Sequence, residues 1–346
     1  MRFLNILALG IAFLLCSLQM HGQSTAEPGK YPVDYDTNYI KDYRHRLNLS
    51  AVSEIKANGI GILTPDDKLL IYLTNIPIPN YGFMFSYRWL NLQLTVPVPA
   101  LSTTLPNRGE TKSYALSLGL TTRKWHVRNF FEFFKGYYIS NPEIIFPDLP
   151  PGSNIILADM ASRTYYLTAH YMVNGNRYSH RSLLWQSEVQ KKSAGSLFMG
   201  GTFGLKRINS PEDILPDPIE ADVNEASYLH SGLNLGYAYT LVLGKYFNVS
   251  VAAIPGLNYT WAAYKTFNAQ ENVFSNGLGF NMEGRFQVLF QKGNFYAGAN
   301  YTGFLLTDYL KTDYPIGSAH NYLRVNVGYR FKIKPIKFLK PIWLSN

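Results

Sequence analysis

The sequence predicts an all-β protein: an antiparallel transmembrane β-barrel of about 14 strands (12–14), preceded by a cleaved signal peptide. Three observations predict it. The 346 residues are 47% hydrophobic and 15% aromatic but only 16% charged, against roughly a quarter charged in soluble chains. Long stretches alternate apolar with polar or small residues at period two, the mark of strands whose two faces meet different surroundings. The one long apolar run, Leu4 to Leu15, falls short of the ~20 residues that cross a bilayer as a helix. A single cysteine excludes a disulfide scaffold and a Cys-based zinc site, and the aromatic load excludes a disordered chain.

Met1-Arg2-Phe3, the apolar run and the polar exit His21-Gly22-Gln23-Ser24 read as a secretory signal over residues 1–23. Cys16 leaves with it, because bulky Phe13-Leu14-Leu15 stand where a lipidation box needs a small residue. The exported chain then has no thiol, which removes disulfides, thiol catalysis and thiolate metal sites together. Losing Arg2 takes the net charge from +9 to +8. After export that balance points to an anionic membrane surface and not to nucleic acid. Residues 24–43, with Pro28, Pro32 and three aspartates, read as a polar linker.

The barrel is expected over 44–333. Strands are read at 44–53, 69–75, 80–88, 90–97, 113–121, 125–133, 162–173, 179–188, 195–207, 228–243, 246–267, 278–291, 294–308 and 323–332. Pro255-Gly256 makes 246–267 either one kinked strand or two. The clearest alternation sets Leu278, Phe280, Met282, Phe286, Val288 and Phe290 against Asn281, Glu283, Arg285, Gln287 and Gln291. The last strand sets Leu323, Val325, Val327, Tyr329 and Phe331 against Arg324, Asn326, Gly328 and Arg330. Arg123-Lys124, Asn174-Gly175-Asn176-Arg177, Gly244-Lys245 and Lys292-Gly293 read as tight hairpin joints. Long joints fall at 54–68, 97–111, 136–161, 208–227 and 309–320. Short and long joints alternate to about residue 188 and then slip, so the strand count carries a phase ambiguity. The tail is 334–346.

Period two leaves open which face is the core: inward in a soluble sandwich, lipid-facing in a membrane barrel. Strands near ten residues match a crossing length and exceed the ~5–6 of soluble sheets. Aromatics bracket apolar faces, as with Tyr81 and Tyr87 around Phe83 and Phe85, and Trp125 with Phe133. Girdles at two interfaces place them so. In lipid the sheet must close, because an open edge leaves backbone groups unsatisfied.

Candidate sites each carry a functional and a structural reading. The lumen-lining set is Arg128, Glu132, Glu188, Glu283, Arg285, Arg324 and Arg330, with Arg46, His126 and His170 on the same face. Such groups either tune a pore or fill the interior as paired ions. Lys191 and Lys192 read as a headgroup contact at the rim or as part of a turn needing small neighbours. Glu212, Asp213, Asp217, Glu220, Asp222 and Glu225 crowd 208–227, yet fit no calcium-loop spacing. No histidine lies in a nucleophile elbow or an H-E-x-x-H pair, so no catalytic, cofactor or metal residue is assigned. His170 and His180 are read as flanking one hairpin.

Several short runs resemble a known family. They are Asp36-Thr37-Asn38-Tyr39-Ile40, Lys112-Ser113-Tyr114, Lys124-Trp125, Lys135-Gly136-Tyr137-Tyr138, Gly328-Tyr329-Arg330-Phe331 and, most specific, Gln190-Lys191-Lys192-Ser193-Ala194-Gly195-Ser196. Together the chain resembles the DUF4421 family (a domain of unknown function) of Bacteroidetes-type bacteria, over nearly all of the mature length. The family is similar to outer-membrane β-barrels, and the resemblance implies no reaction. The expected role is a passive channel or a structural or binding barrel in the cell outer membrane. Its partners are outer-membrane lipid and the barrel-assembly machinery. The alternatives are a rim-active hydrolase of lipid or peptide, and a soluble periplasmic β-sandwich.

Overall fold

Strand pairing in this computed structural model runs without a break around one antiparallel sheet. The structure describes residues 34–63, 70–75, 77–98, 108–144, 146–150, 152–211, 223–266, 273–308 and 316–336. The expected signal 1–23, most of the linker, the acidic run 212–222 and the tail beyond 336 lie outside them. The strands are β1 (Ile40–Asp42), β2 (Leu47–Leu63), β3 (Leu70–Thr74), β4 (Ile78–Tyr87), β5 (Leu90–Pro97), β6 (Lys112–Thr121), β7 (Trp125–Ile139), β8 (Ile155–Met172), β9 (Glu188–Gln190), β10 (Ala194–Asn209), β11 (Val223–Leu243), β12 (Phe247–Thr266), β13 (Val273–Lys292), β14 (Phe295–Asp308) and β15 (Ile316–Phe331). Among the described residues there is one α-helix, α1 (His180–Leu184), and a 3-10 turn at Pro142–Ile144.

Thirteen strands form the wall, and β1 and β9 form a separate two-stranded sheet. The wall closes where β15 pairs with β2 from Phe331↔Leu47 to Ile316↔Ile62. This is a single closed sheet and not two packed ones, which removes the sandwich alternative. Closure leaves the wall without an open edge among the described residues, as a bilayer demands. β3 and β4 follow one another along β2, β3 against Gly59–Leu63 and β4 against Asn48–Lys56. On its far side β3 pairs with β7, whereas β4 pairs with β5. The ring therefore counts twelve strands through β4, β5 and β6, and ten through β3.

The joints Arg88-Trp89, 122–124, 244–246 and 293–294 lie at one end, the turn end. The strand ends that flank the longer joints 64–69, 98–111, 140–154, 210–222, 267–272 and 309–315 all lie at the other, the loop end. Short turns on one side and long loops on the other is the outer-membrane pattern. The phase slip in the sequence reading has one source. Residues 179–188 are not a wall strand; they belong to the joint 173–193, which folds inward from the turn end. Asn174–Arg177 opens that joint and is not a tight hairpin. Residues 54–63, read as a joint, are the second half of β2, because Glu54, Lys56 and Asn58 point inward and not into a loop. The expected 246–267 is the single strand β12 (Phe247–Thr266), continuous through Pro255-Gly256.

Burial is inverted relative to a soluble sheet. On β13, Asn281, Glu283, Arg285, Gln287 and Gln291 are buried, while Leu278 is 69% and Phe286 48% exposed. Leu233 at the middle of β11 and its partner Leu257 are 77% and 71% exposed. Exposed Trp125, Phe247, Phe295, Tyr329 and Phe331 ring the turn end, and Phe274, Trp261 and Tyr114 stand nearer the loop end. Such an apolar band between aromatic girdles suits lipid contact. Tyr87 departs from the expected girdle: it is buried, its Oη accepting from the Ile336 backbone N–H at 3.3 Å. Most strands from β7 onward run 14–21 residues, longer than a ~9–11 residue crossing needs, so the wall extends past the apolar band.

Candidate functional site: a plugged lumen and a charged chamber

Seen from the loop end, the interior is layered. Near that end an apolar layer joins Ile60, Leu73, Phe134, Tyr137, Met160, Ile208, Tyr228 and Tyr264. Ile60 continues the inward parity of Glu54 and Lys56 on β2, and Phe134 that of Glu132 on β7. At the turn end the interior is filled by the chain itself. Segment 173–193 enters between β8 and β10, and all five residues of α1 are buried. Ser179 makes this short helix possible: its Oγ accepts from the Ser182 N–H at 3.1 Å, capping the first turn. Leu183, Leu184 and Trp185 then pack with Met172, Tyr178, Phe198 and Met84. Gly119 on β6 leaves room for the indole, since a Cβ there would stand 2.7 Å from Trp185 Cζ2.

Polar groups fix the plug to the wall. Gln287 Nε2 donates to the Leu183 carbonyl at 2.7 Å, Arg324 Nη2 to that of Leu184 at 3.3 Å and Arg330 Nε to that of Gln186 at 2.9 Å. Arg330 also lies between the Tyr43 and Tyr296 rings, 4.6 and 4.7 Å from their centroids. At the base, Glu188 is fully buried and takes two bonds from Arg123, at 2.6 and 3.0 Å, one from Ser179 Oγ at 2.6 Å and an ion pair from Arg44 at 3.3 Å. Burial alone would raise its carboxyl, but Arg123 and then Arg44 outweigh that and hold it below the usual carboxylate range. Burial pulls the Arg181 guanidinium down to about 9, with Glu188 opposing. Burial first, and the Arg285 charge second, hold His180 well below the ordinary histidine range.

The end of the expected linker is part of this base. β1 pairs with β9, Asp42 opposite Glu188 and Ile40 opposite Gln190. Lys191 Nζ donates to the Thr37 carbonyl at 2.7 Å, and Lys192 Nζ sits 5.7 Å from the Tyr39 ring. Arg46 bonds Asn294 at the turn end.

Between plug and apolar layer lies a charged chamber. A cavity of about 50 Å³ is bounded by Glu54, Lys56, Arg128, Arg285 and Arg324. A second, of about 30 Å³, adjoins Glu283 and His320, and both are lined by Arg128, Phe130, Thr302 and Tyr322. On the scale where one water needs ~10–15 Å³, this is room for a few small molecules. Glu283 is paired with Arg285, and Glu54 with Lys56 at 3.3 Å. Glu132 accepts from Tyr322 Oη at 3.3 Å and contacts His320 Nδ1 at 3.1 Å.

Of the residues singled out from sequence, Arg128, Glu283, Arg285 and Arg324 meet at the chamber and Glu132 stands beside it. Glu188 and Arg330 belong to the plug and its anchor. Sequence reasoning missed Glu54, Lys56 and Gln93, which were given to a joint or left unassigned, though Glu54 and Lys56 share the inward parity of Ser50 and Val52. His170 and His180 do not flank a hairpin. They gather with His126 inside the lumen around Phe198, His126 and His180 with ring centroids 4.8 Å apart. Glu225, from the acidic run, pairs with Arg207 at 2.7 Å.

Among solved structures the chain is similar to the outer-membrane protease OmpT from Escherichia coli, with TM-score 0.37, 6% identity, and 84% of this chain and 98% of that one covered. It is also similar to the translocator domain of the autotransporter NalP from Neisseria meningitidis, with TM-score 0.30, 10% identity, and 95% and 96% covered. A third likeness is to a Pseudomonas aeruginosa FadL homologue, with TM-score 0.27, 8% identity, and 83% and 90% covered. Scores at this level transfer no activity. No curated protein matches. The family profile "Domain of unknown function (DUF4421)" matches residues 34–331, which take in the base segment, the plug and every wall strand, and the chain belongs to the DUF4421 family.

Proposed function

We propose that this protein is an outer-membrane β-barrel whose lumen is closed by its own chain, a structural or ligand-holding barrel and not a standing open channel. The carrying observation is segment 173–193, buried inside the turn end and tied to three wall strands, β6, β13 and β15, by Gln287, Arg324, Arg330 and the Arg181–Thr121 contact. The apolar layer near the loop end supports the same reading, because it packs the lumen on the far side of the chamber from the plug. Membrane placement is supported by the outward band around Leu233 and Leu257, far larger than soluble monomers leave in water. Export by a signal over 1–23, insertion by the barrel-assembly machinery and a turn end facing the periplasm complete the reading. A headgroup role for Lys191 and Lys192 is not retained, since both side chains face the 34–40 segment.

Two measurements test this. In outer-membrane fractions the protein should show heat-modifiable gel migration; release with the soluble periplasmic proteins would overturn the membrane placement. In planar bilayers the wild-type protein should give no steady conductance, and persistent ohmic current from it would overturn the closed lumen.

A further inference from the structure

Four cations and two carboxylates face the chamber, and the pairing is uneven. Glu54 is taken by Lys56, and Glu283 by Arg285. Arg128 and Arg324 are left, among the described residues, with neutral partners only. Arg128 Nε reaches Ser117 Oγ at 3.3 Å, and its guanidinium lies 5.0 Å from the Phe130 centroid. Its two terminal nitrogens have no bond within the described residues, and Arg128 lines both cavities. Arg324 Nη1 reaches Gln93 Oε1 at 2.7 Å and Nη2 the Leu184 carbonyl.

Two guanidiniums facing a confined space with no carboxylate in direct contact are costly, because burial strips water that the more distant Glu54 and Glu283, each already paired, replace only in part. The planar N–H fork of arginine matches the paired oxygens of a carboxylate or phosphate. Thr302 lines the same space and adds a neutral hydroxyl, Tyr322 and Asn300 line it with their donors directed at Glu132 and Asn326, and Phe130 and Trp185 supply apolar wall. The cavity volume limits the occupant to a few heavy atoms.

We propose that the chamber is a binding site for one small oxyanion, of the class of inorganic phosphate or a short-chain carboxylate, held by Arg128 with Arg324. The site goes beyond the closed-barrel reading and rests on it only for the size of the ligand.

The test is equilibrium dialysis of the full-length protein, refolded in detergent, with radiolabelled inorganic phosphate and, separately, radiolabelled acetate. At least one should bind at a single saturable site per barrel, and the other should compete for it if both fit. Arg128→Gln and Arg324→Gln should each weaken binding about tenfold, as expected on removing a charge-assisted bond. Lys135→Gln, on the outer wall beside Asp159, should bind as wild type. Heat-modifiable migration of each variant shows that it has folded. Absence of saturable binding for both probes, or unchanged binding in folded Arg128→Gln, overturns the proposal. A conducting wild-type barrel that still binds phosphate through Arg128 would overturn the closed lumen and leave the site standing.

Discussion

Arg123, in the turn between β6 and β7, grips Glu188 of the plug with two near-parallel hydrogen bonds of 2.6 and 3.0 Å. Glu188 is fully buried and Arg123 nearly so, which makes this fork the tie between wall and plug at the turn end. Glu188→Gln removes the buried counter-charge of Arg123 and Arg44 and leaves them only the part-exposed Asp34 and Asp42, so the cost stays below the ~3–5 kcal/mol of breaking an isolated buried pair. The expected result is a lower midpoint in urea unfolding in lipid vesicles and flickering single-channel currents where wild type is silent. An unchanged midpoint with silent bilayers would show that the fork does not hold the plug.

The same carboxylate sets a pH dependence. Its pKa in the folded state lies below the ordinary 4.5, so the stability it contributes is fully present above that value. It is lost progressively as pH falls further and the folded-state carboxylate takes up a proton. Wild type should lose unfolding midpoint below pH 4.5 more steeply than Glu188→Gln, in which this group no longer titrates. Parallel slopes in the two proteins would contradict the assignment.

Gly119 and Trp185 give a steric test. A side chain at 119 would occupy the space of the indole, so Gly119→Val should displace Trp185 and open the plug's apolar contact with β6. Iodide quenching of tryptophan emission should rise, and bilayer currents should appear. Quenching that matches wild type would mean that the indole has been accommodated elsewhere in the lumen.

Leu233 separates lipid from water on the outside of the barrel. Arg or Lys on the lipid face near the midplane costs ~2–4 kcal/mol, whereas an exposed Leu→Arg change in water is close to neutral. Leu233→Arg should therefore lower unfolding stability in vesicles by that amount. Arg207→Ala, at the loop end, removes only a part-exposed pair with Glu225 and should cost under about 1 kcal/mol.

Much of the wall was legible because its two faces differ in chemistry. The alternation on β13 and β15 survives intact into the structure, Phe286 and Val325 outward, Arg285 and Arg324 inward. Where the reading failed, inward polar residues were taken for a loop, as at Glu54 to Asn58, or a short apolar run was taken for a strand, as at Leu183-Leu184-Trp185. A five-residue helix has no period to display. Its fold depends on the Ser179 cap and on a lumen supplied by residues far along the chain. The chamber was half visible for the same reason: Arg128 and Glu283 could be placed on an inward face, but which arginine would lack a carboxylate depends on how the ring closes.

The ring of twelve strands narrows to ten where β3 meets β7, and barrel diameter grows with strand number. The molecule is thus a funnel, wide toward the turns, with the β5–β6 hairpin as the gusset that widens it. Arg181 reaches the Thr121 carbonyl and Trp185 lies on Gly119, both at β6, so the stopper seats partly on the gusset. Hairpin and stopper form a matched pair: a shortened relative that dispensed with one would have to dispense with the other, or leave a hole.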